Sequence, residues 1–310
     1  MEVCRALDKL KGKFKNPAIT LGNFDGVHLG HQRIFKHLLK RASDIGGEAL
    51  VFTFDPHPAK VLRPELSPSL ITPIPEKLKL MKTFGINAVI LTDFTKEFAA
   101  IHPSTFVEDV LINALGSKLV VVGHDFSFGK GKEGTIDYLK VLGERHNIQV
   151  EIVKAFKVNG KIVSSTAIRE LIHSGNMTEA AKLLGRQYSI EGNVIQGSGR
   201  GKQLGFPTAN LKHYGELIPK DGVYAIKVLT GGEEKPGISN IGLRPTFRET
   251  ERSVEIHIFD FKKEIYSEDI QVTFIERIRE ERAFSGPEEL TQQIRKDIVI
   301  AKKILERKEN

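Results

Sequence analysis

Apolar positions in the first 185 residues come in short continuous runs separated by longer stretches with helical spacing. Ala18-Ile-Thr-Leu21 predicts a strand. After a glycine-containing turn, residues 32–42 place Ile34 and Leu38, and Phe35, Leu39 and Ala42, at the three- and four-residue intervals of a helix face. Ala49–Phe54, Ala88–Leu91 and Lys118–Val122 predict further strands, with helices over Glu76–Phe84 and Phe106–Leu115 between them. Strands that are apolar throughout, rather than at every second residue, belong to a parallel sheet covered on both faces. Ligands of such sheets bind beyond the carboxyl ends of the strands.

After about Leu184 the pattern changes. Ser189–Ile195, Gly222–Leu229, Arg252–Phe261 and Ile270–Ile278 read as strands parted by Gly, Pro and Asp turns, the pattern of a small barrel. Leu290, Ile294, Ile298, Ala301 and Leu305 then recur at helical spacing over Pro287–Arg307, with Ser285 or Gly286 as cap and Pro287 in the first turn. The expected architecture is an α/β domain over 1–185, followed by a β-barrel domain with a closing helix over 186–310. A length of 310 residues suits two domains.

Composition narrows the function classes. With 40% hydrophobic and 27% charged residues the chain has the make-up of a folded protein, not of a disordered or fibrous one. No apolar run approaches the roughly 20 residues of a membrane span. The first ten residues mix charges of both signs and lack a signal peptide's apolar core, and Cys4 is the only cysteine. The expectation is a reducing, cytoplasmic setting without disulfides, thiolate metal cages or a membrane partner. Residues 1–185 carry 25 Lys+Arg against 19 Asp+Glu, and residues 186–310 carry 21 against 20, so nearly all of the net +7 lies in the first half. With few aromatics among the basic residues, this charge fits small phosphorylated ligands better than nucleic acid. A homo-oligomer is left open.

The strongest chemical signal is Gly22-Asn-Phe-Asp-Gly-Val-His-Leu-Gly-His31, where the first strand hands over to the first helix. Free backbone N–H groups and the helix dipole make an anion site there, and Gly26 and Gly30 allow close approach. His28 and His31 can donate hydrogen bonds to phosphoryl oxygens as charge builds. A zinc pair or two surface histidines is the plainer alternative. At a second junction, Ser164, Ser165 and Thr166 offer hydroxyls and Arg169 a planar fork for phosphate, against the simpler reading of a capped helix with a solvated arginine. Gly123–Gly129 holds Asp125, Phe126 and Phe128 after a buried strand. Its rings pack either on a flat ligand or into the core, and the turn with Phe54, Pro56, His57 and Pro58 can lie at the same rim.

These segments resemble the nucleotidylyltransferase superfamily, and specifically the FMN adenylyltransferase module of prokaryotic bifunctional riboflavin kinase/FAD synthetases. The resemblance implies a Rossmann-like fold that joins FMN to the AMP part of ATP and releases pyrophosphate. It makes Gly22, Asn23, Phe24, Asp25, Gly26, His28, Gly30 and His31 the ATP signature, and Ser164–Arg169 a second phosphate signature. Asp125 joins the nucleotide contacts, and Phe54, Pro56, His57, Pro58, Phe126 and Phe128 the flavin contacts.

In the second half, Gly197-Ser-Gly-Arg-Gly-Lys-Gln-Leu-Gly-Phe-Pro-Thr-Ala-Asn210 is a glycine-rich loop that is not a Walker A sequence. Gly199, Gly201 and Gly205 let main-chain N–H groups wrap phosphates beside Lys202, and after Pro207 the side chains of Thr208 and Asn210 supply hard oxygen ligands for Mg²⁺. Along Arg252–Phe259, Val254, Ile256 and Ile258 share one face, while Glu255 and His257 point the other way. Glu255 can accept a proton from a substrate hydroxyl, or be a solvated strand residue. This set resembles the riboflavin kinase module, with Pro207–Asn210 as signature and Glu255 as base. Asn240–Phe247 and Ile278-Arg279 look like segments around its flavin, Arg279 being a flavin contact. The chain departs from the family pattern at Ser127 and Lys132, where arginines are frequent, and at Glu280, where proline is. The expected function is ATP-dependent conversion of riboflavin to FMN and of FMN to FAD. The rivals are a chain with one active module, or a flavin- or nucleic-acid-binding regulator on the same folds.

Overall fold

The computed structural model describes residues 1–197, 199–215, 217–245 and 250–307, and of residues 200, 202, 244, 245, 250 and 251 the backbone alone. Ser198, Thr246, Phe247 and the Lys202 side chain, all within predicted motifs, lie outside the described residues. The chain divides into two compact units, Met1–Ser164 and Ser165–Asn310.

In the first unit, strands β1 (Glu2–Cys4), β2 (Ala18–Leu21), β3 (Ala49–Asp55), β4 (Ala88–Asp93), β5 (Leu119–Gly123) and β6 (Gln149–Val153) form one sheet in the order β1-β4-β3-β2-β5-β6, every pair parallel. Successive strand residues feed two different cores. Ile19, Leu21, Leu50 and Phe52 pack on one face with Phe106, Leu111, Leu139 and Leu142, while Ala18, Ala49 and Val51 pack on the other with Ile34, Phe35, Leu38 and Met81. That two-sided burial is why these strands are apolar at every position. Helices α1 (Leu29–Asp44), α2 (Pro58–Leu62), α3 (Ile74–Thr83), α4 (Lys96–Ala99), α5 (Pro103–Thr105) and α6 (Ile136–Arg145) connect the strands. Phe106–Ala114, expected as an ordinary helix, is a π-helix, and a small hairpin, β7 (Lys157–Val158) and β8 (Lys161–Ile162), follows β6. The strand order reverses between β2 and β5, so the crevice that such sheets use for ligands opens at the carboxyl ends of those two strands.

The second unit begins with α7 (Ser165–His173) and α8 (Met177–Leu184), and α8 packs on barrel strands through buried Met177, Leu183 and Leu184. The barrel comprises β9 (Tyr188–Ile195), β10 (Ala209–His213), β11 (Gly222–Thr230), β12 (Glu233–Pro245), β13 (Thr250–Ile258) and β14 (Asp269–Arg279). It closes in the order β10-β13-β12-β11-β14-β9, with antiparallel pairing throughout. Tyr224, Ile226 and Val228 alternate with Val223 and Ala225, and the latter two pack against Ala301, Ile304 and Leu305 of the closing helix. The one-turn α9 (Arg200–Gln203) interrupts the glycine-rich loop, and α10 (Pro287–Arg307) is the predicted closing helix.

Candidate active sites

In the first unit the β2–α1 loop lies at the crevice. Its backbone is left-handed at Phe24 (φ 49°), Gly26 (φ 87°) and Val27 (φ 42°), a costly path for the two residues with side chains that only surrounding contacts can maintain. Phe24 is buried against Phe35 and, edge-on, against the His31 ring 5.2 Å away. The buried Asp25 carboxylate accepts the backbone N–H groups of Ile71 and Thr72, each at 3.1 Å. Both side chains, expected as ATP contacts, therefore face inward and shape the loop, leaving their backbone to the crevice. The Asn23 carbonyl accepts from Lys77 Nζ at 2.9 Å and from Thr53 Oγ1 at 3.3 Å.

His28 is the N-cap of α1. Its Nδ1 accepts the His31 N–H at 3.3 Å, which places the proton of a neutral ring on Nε2 and makes that atom a donor. The two imidazoles stack with centroids 3.5 Å apart and planes 18° apart. Burial, then His28 and then Lys77 hold the His31 ring well below the usual histidine range, so it is neutral at pH 7. Its buried Nδ1 finds no partner among the described residues, the sign of a group that a ligand or water satisfies. The arrangement is thus a turn of backbone N–H groups with imidazole donors, suited to an anion and lacking a strong nucleophile.

The carboxyl end of β3 brings Phe54, half-buried against Phe52, Phe94 and Phe98, to the same side of the sheet. Beyond it Pro56 is exposed, His57 caps α2 by accepting from Ala59 N at 3.1 Å, and Pro58 opens that helix. At the end of β5, Phe128 is a core residue against Phe106, whereas Phe126 is only half-buried and stacks on it at 5.5 Å. Asp125 is exposed. Ser164 ends the first unit, and Ser165, Thr166 and Arg169 lie in the first turns of α7 in the second.

On the barrel, register decides what meets. Glu255 lies directly opposite Asn210 on β10 and directly opposite Asn240 on β12. Opposed residues of antiparallel strands project from the same face, with Cβ atoms about 5 Å apart. Since Val254, Ile256 and Ile258 are buried in the barrel, the row Asn240–Glu255–Asn210 stands on its outer face. His257, two residues on, is held by the loop, its Nδ1 within hydrogen-bond reach of the Pro207 carbonyl at 2.9 Å. Glycines close around the predicted metal ligands. A Cβ at Gly201 would sit 3.0 Å from Thr208 Oγ1, and one at Gly197 would collide with the Asn210 amide. Gly199 and Gly205 take left-handed backbone, φ 73° and 84°.

Arg279, expected to touch flavin, is tied to the closing helix. Its Nε and Nη2 donate to the Asp297 carboxylate of α10 at 2.8–3.1 Å, Gln293 donates to the same group at 2.7 Å, and the guanidinium lies 5.7 Å from the Phe284 ring. The structure gives Arg279 the part of a clamp between β14 and the closing helix. Lys77 meets the first of these loops although sequence patterns do not single it out, whereas Asn240 begins a segment already expected near flavin. Lys77 sits at an unremarkable point of an amphipathic helix, and only the strand register puts Asn240 beside Glu255.

Residues 11–167 match the FAD synthetase family and residues 184–305 the riboflavin kinase family. The chain is 35% identical to a bifunctional riboflavin kinase/FMN adenylyltransferase of Escherichia coli, over 92% of this chain and 91% of that one. It is 39% identical to one of Listeria monocytogenes, over 91% and 90%. A crystal structure described as a macrolide-efflux protein from Streptococcus pneumoniae is 31% identical and superposes with a TM-score of 0.89, over 97% of this chain and 99% of that one. Among the described residues, no helix is long and apolar enough to cross a membrane.

Proposed function

The chain belongs to the family of bifunctional riboflavin kinases/FMN adenylyltransferases, and on that premise we propose how its residues divide the two reactions. Riboflavin and ATP give FMN and ADP in the C-terminal half, and FMN and ATP give FAD and pyrophosphate in the N-terminal half. The functional modules are taken as 1–185 and 186–310. By its motif, Ser164–Arg169 is a phosphate-binding turn, and α8, which follows it, packs on the barrel.

At the kinase site Glu255 is the general base. Its carboxylate takes the proton of the ribityl 5′-hydroxyl, the freed oxygen forms a bond to the γ-phosphorus, and the bond from that phosphorus to ADP breaks. The row Asn240–Glu255–Asn210 carries this reading, because it sets the carboxylate between two amides beside the glycine-rich loop. Two neutral oxygen donors, Thr208 Oγ1 and the Asn210 side-chain carbonyl, in a cradle that a Cβ would fill, fit a Mg²⁺ ion that takes its other ligands from phosphate and water. When bound, Mg²⁺ neutralises charge on the terminal phosphates of ATP. Gly199, Gly201, Gly205 and Lys202 serve the phosphates as well.

At the adenylyltransferase site an FMN phosphate oxygen forms a bond to the α-phosphorus of ATP as the bond to pyrophosphate breaks. The chain supplies alignment and donors: His28 through Nε2–H, His31, and the N–H groups of the 22–30 turn. Phe54 and Phe126, the half-buried rings, take the flavin face. A cytoplasmic setting without nucleic-acid or membrane partners agrees with this substrate set. The test is a time course of riboflavin with ATP and Mg²⁺, separating riboflavin, FMN and FAD. FMN should rise first and FAD follow. FMN alone would leave a single active module, and neither product would leave a binding protein.

A further inference from the structure

We propose that Lys77 is a positioning residue for adenylyl transfer: from beneath the β2–α1 loop its ammonium fixes the Asn23 carbonyl, and its charge acts on His31. The inference rests on the reading that this loop binds ATP. Lysine is almost never fully buried unless partnered, yet Lys77 is 4% exposed on the inner side of α3, one turn from the core residue Met81. An apolar residue would fill that space at no cost in desolvation.

What the lysine does instead is hold the loop. Its Nζ donates to Asn23, immediately before the strained residues Phe24 to Val27, while Asp25 is tied to the N–H groups of Ile71 and Thr72 just before α3. The loop is thus pinned to the α3 segment at two points. The charge has a separate effect. After burial, the groups bearing on His31 are His28 and Lys77; burial lowers the Lys77 ammonium from the usual lysine range, and Asp25 and Asp55 oppose that shift only in part. A neutral donor would hold the carbonyl equally, but only a cation adds to the burial and the His28 ring that lower the His31 imidazole.

The test uses the full-length protein, with FAD formation from FMN and ATP and the titration of His31 followed by NMR of ¹³C-labelled histidine. Lys77→Met should lower kcat for FAD formation at least about thirtyfold with KM for FMN within about threefold, as for a defect felt in the transition state. Because it removes a repelling charge, it should also move the His31 midpoint to higher pH. Phosphorylation of riboflavin should be unchanged. Lys77→Met with kcat within threefold of wild type, or an unmoved His31 midpoint, would overturn the inference. If hydrogen exchange shows that Lys77→Met unfolds the parallel sheet, Lys77→Arg decides: it should keep at least a tenth of the rate and the wild-type His31 midpoint, and failure of either overturns the proposal. A wild-type protein that makes no FAD from FMN overturns the adenylyltransferase reading as well, so the two failures are distinguishable.

Discussion

Replacing Glu255 by Gln separates the chemistry of the kinase site from its architecture. The residue sits mid-strand on β13 between two neighbouring strands, with Asn210 and Asn240 directly opposite. Gln has the same length and shape, so the register, the barrel and the substrate-binding loop keep their geometry. What changes is the ability to accept a proton at neutral pH. General-base catalysis contributes about two to four orders of magnitude, which at 1.36 kcal/mol per decade is about 3–5 kcal/mol of transition-state stabilisation. Glu255→Gln should therefore lose a hundredfold to ten-thousandfold in FMN formation, read by chromatography at saturating riboflavin and ATP. Riboflavin and ATP affinities, measured by calorimetry, should stay near wild type, and added FMN should still become FAD. A variant that phosphorylates riboflavin within a factor of a few of wild type would refute the base. His257, on the same face, is then the next residue to replace, although its Nδ1 is already directed at the Pro207 carbonyl.

Three further outcomes follow from the packing. His28→Ala removes both a donor and the cap of α1, and should depress FAD formation about a hundredfold while FMN formation is untouched; equal loss of both activities in parallel assays would point to a shared site. Asp297→Ala strands the Arg279 guanidinium, itself 20% exposed, and should destabilise the second unit by about 3 kcal/mol in urea denaturation, the lower end of the range for breaking a buried pair; a cost below about 1 kcal/mol would mean that solvent already screens the clamp. Fragments 186–310 and 165–310 should both phosphorylate riboflavin, but the longer should be more stable by at least about 3 kcal/mol because it keeps Met177, Leu183 and Leu184 buried; equal melting curves would refute the contribution of α8.

Much of this architecture is legible in the amino-acid pattern, and the omissions have physical causes. Continuous apolar runs give β2 to β5, and three- and four-residue spacing gives α10 at its observed ends. β1 is only three residues long, and β6, Gln149–Val153, is a partly exposed edge strand without a continuous apolar run. β12 contains Pro236, Gly237 and Gly242, residues that read as turn signals, yet its pairing with β11 and β13 carries the strand through them. Phe106–Leu115 has a helix's periodicity, and nothing in that period announces π-helical winding. At the sites, motif order points to the His28/His31 turn and the loop at Thr208 and Asn210 as the places for chemistry. It cannot tell a ligand contact from a buried brace, which is why Phe24 and Asp25 turn out to face inward and Arg279 to clamp α10. Lys77 becomes visible only when α3 is brought under the β2–α1 loop, and the place of Asn240 beside Glu255 only in the strand register.

If FMN leaves the kinase module before the adenylyltransferase module takes it up, the two activities can be supplied by different molecules of the protein. Mixing purified His28→Ala and Glu255→Gln proteins tests this most directly. Supplied with riboflavin, ATP and Mg²⁺, each variant alone should make little FAD, the first stopping at FMN and the second leaving riboflavin unconsumed. Together they should produce FAD, because FMN made by one is adenylylated by the other. A mixture that makes no more FAD than the two variants alone would contradict the account.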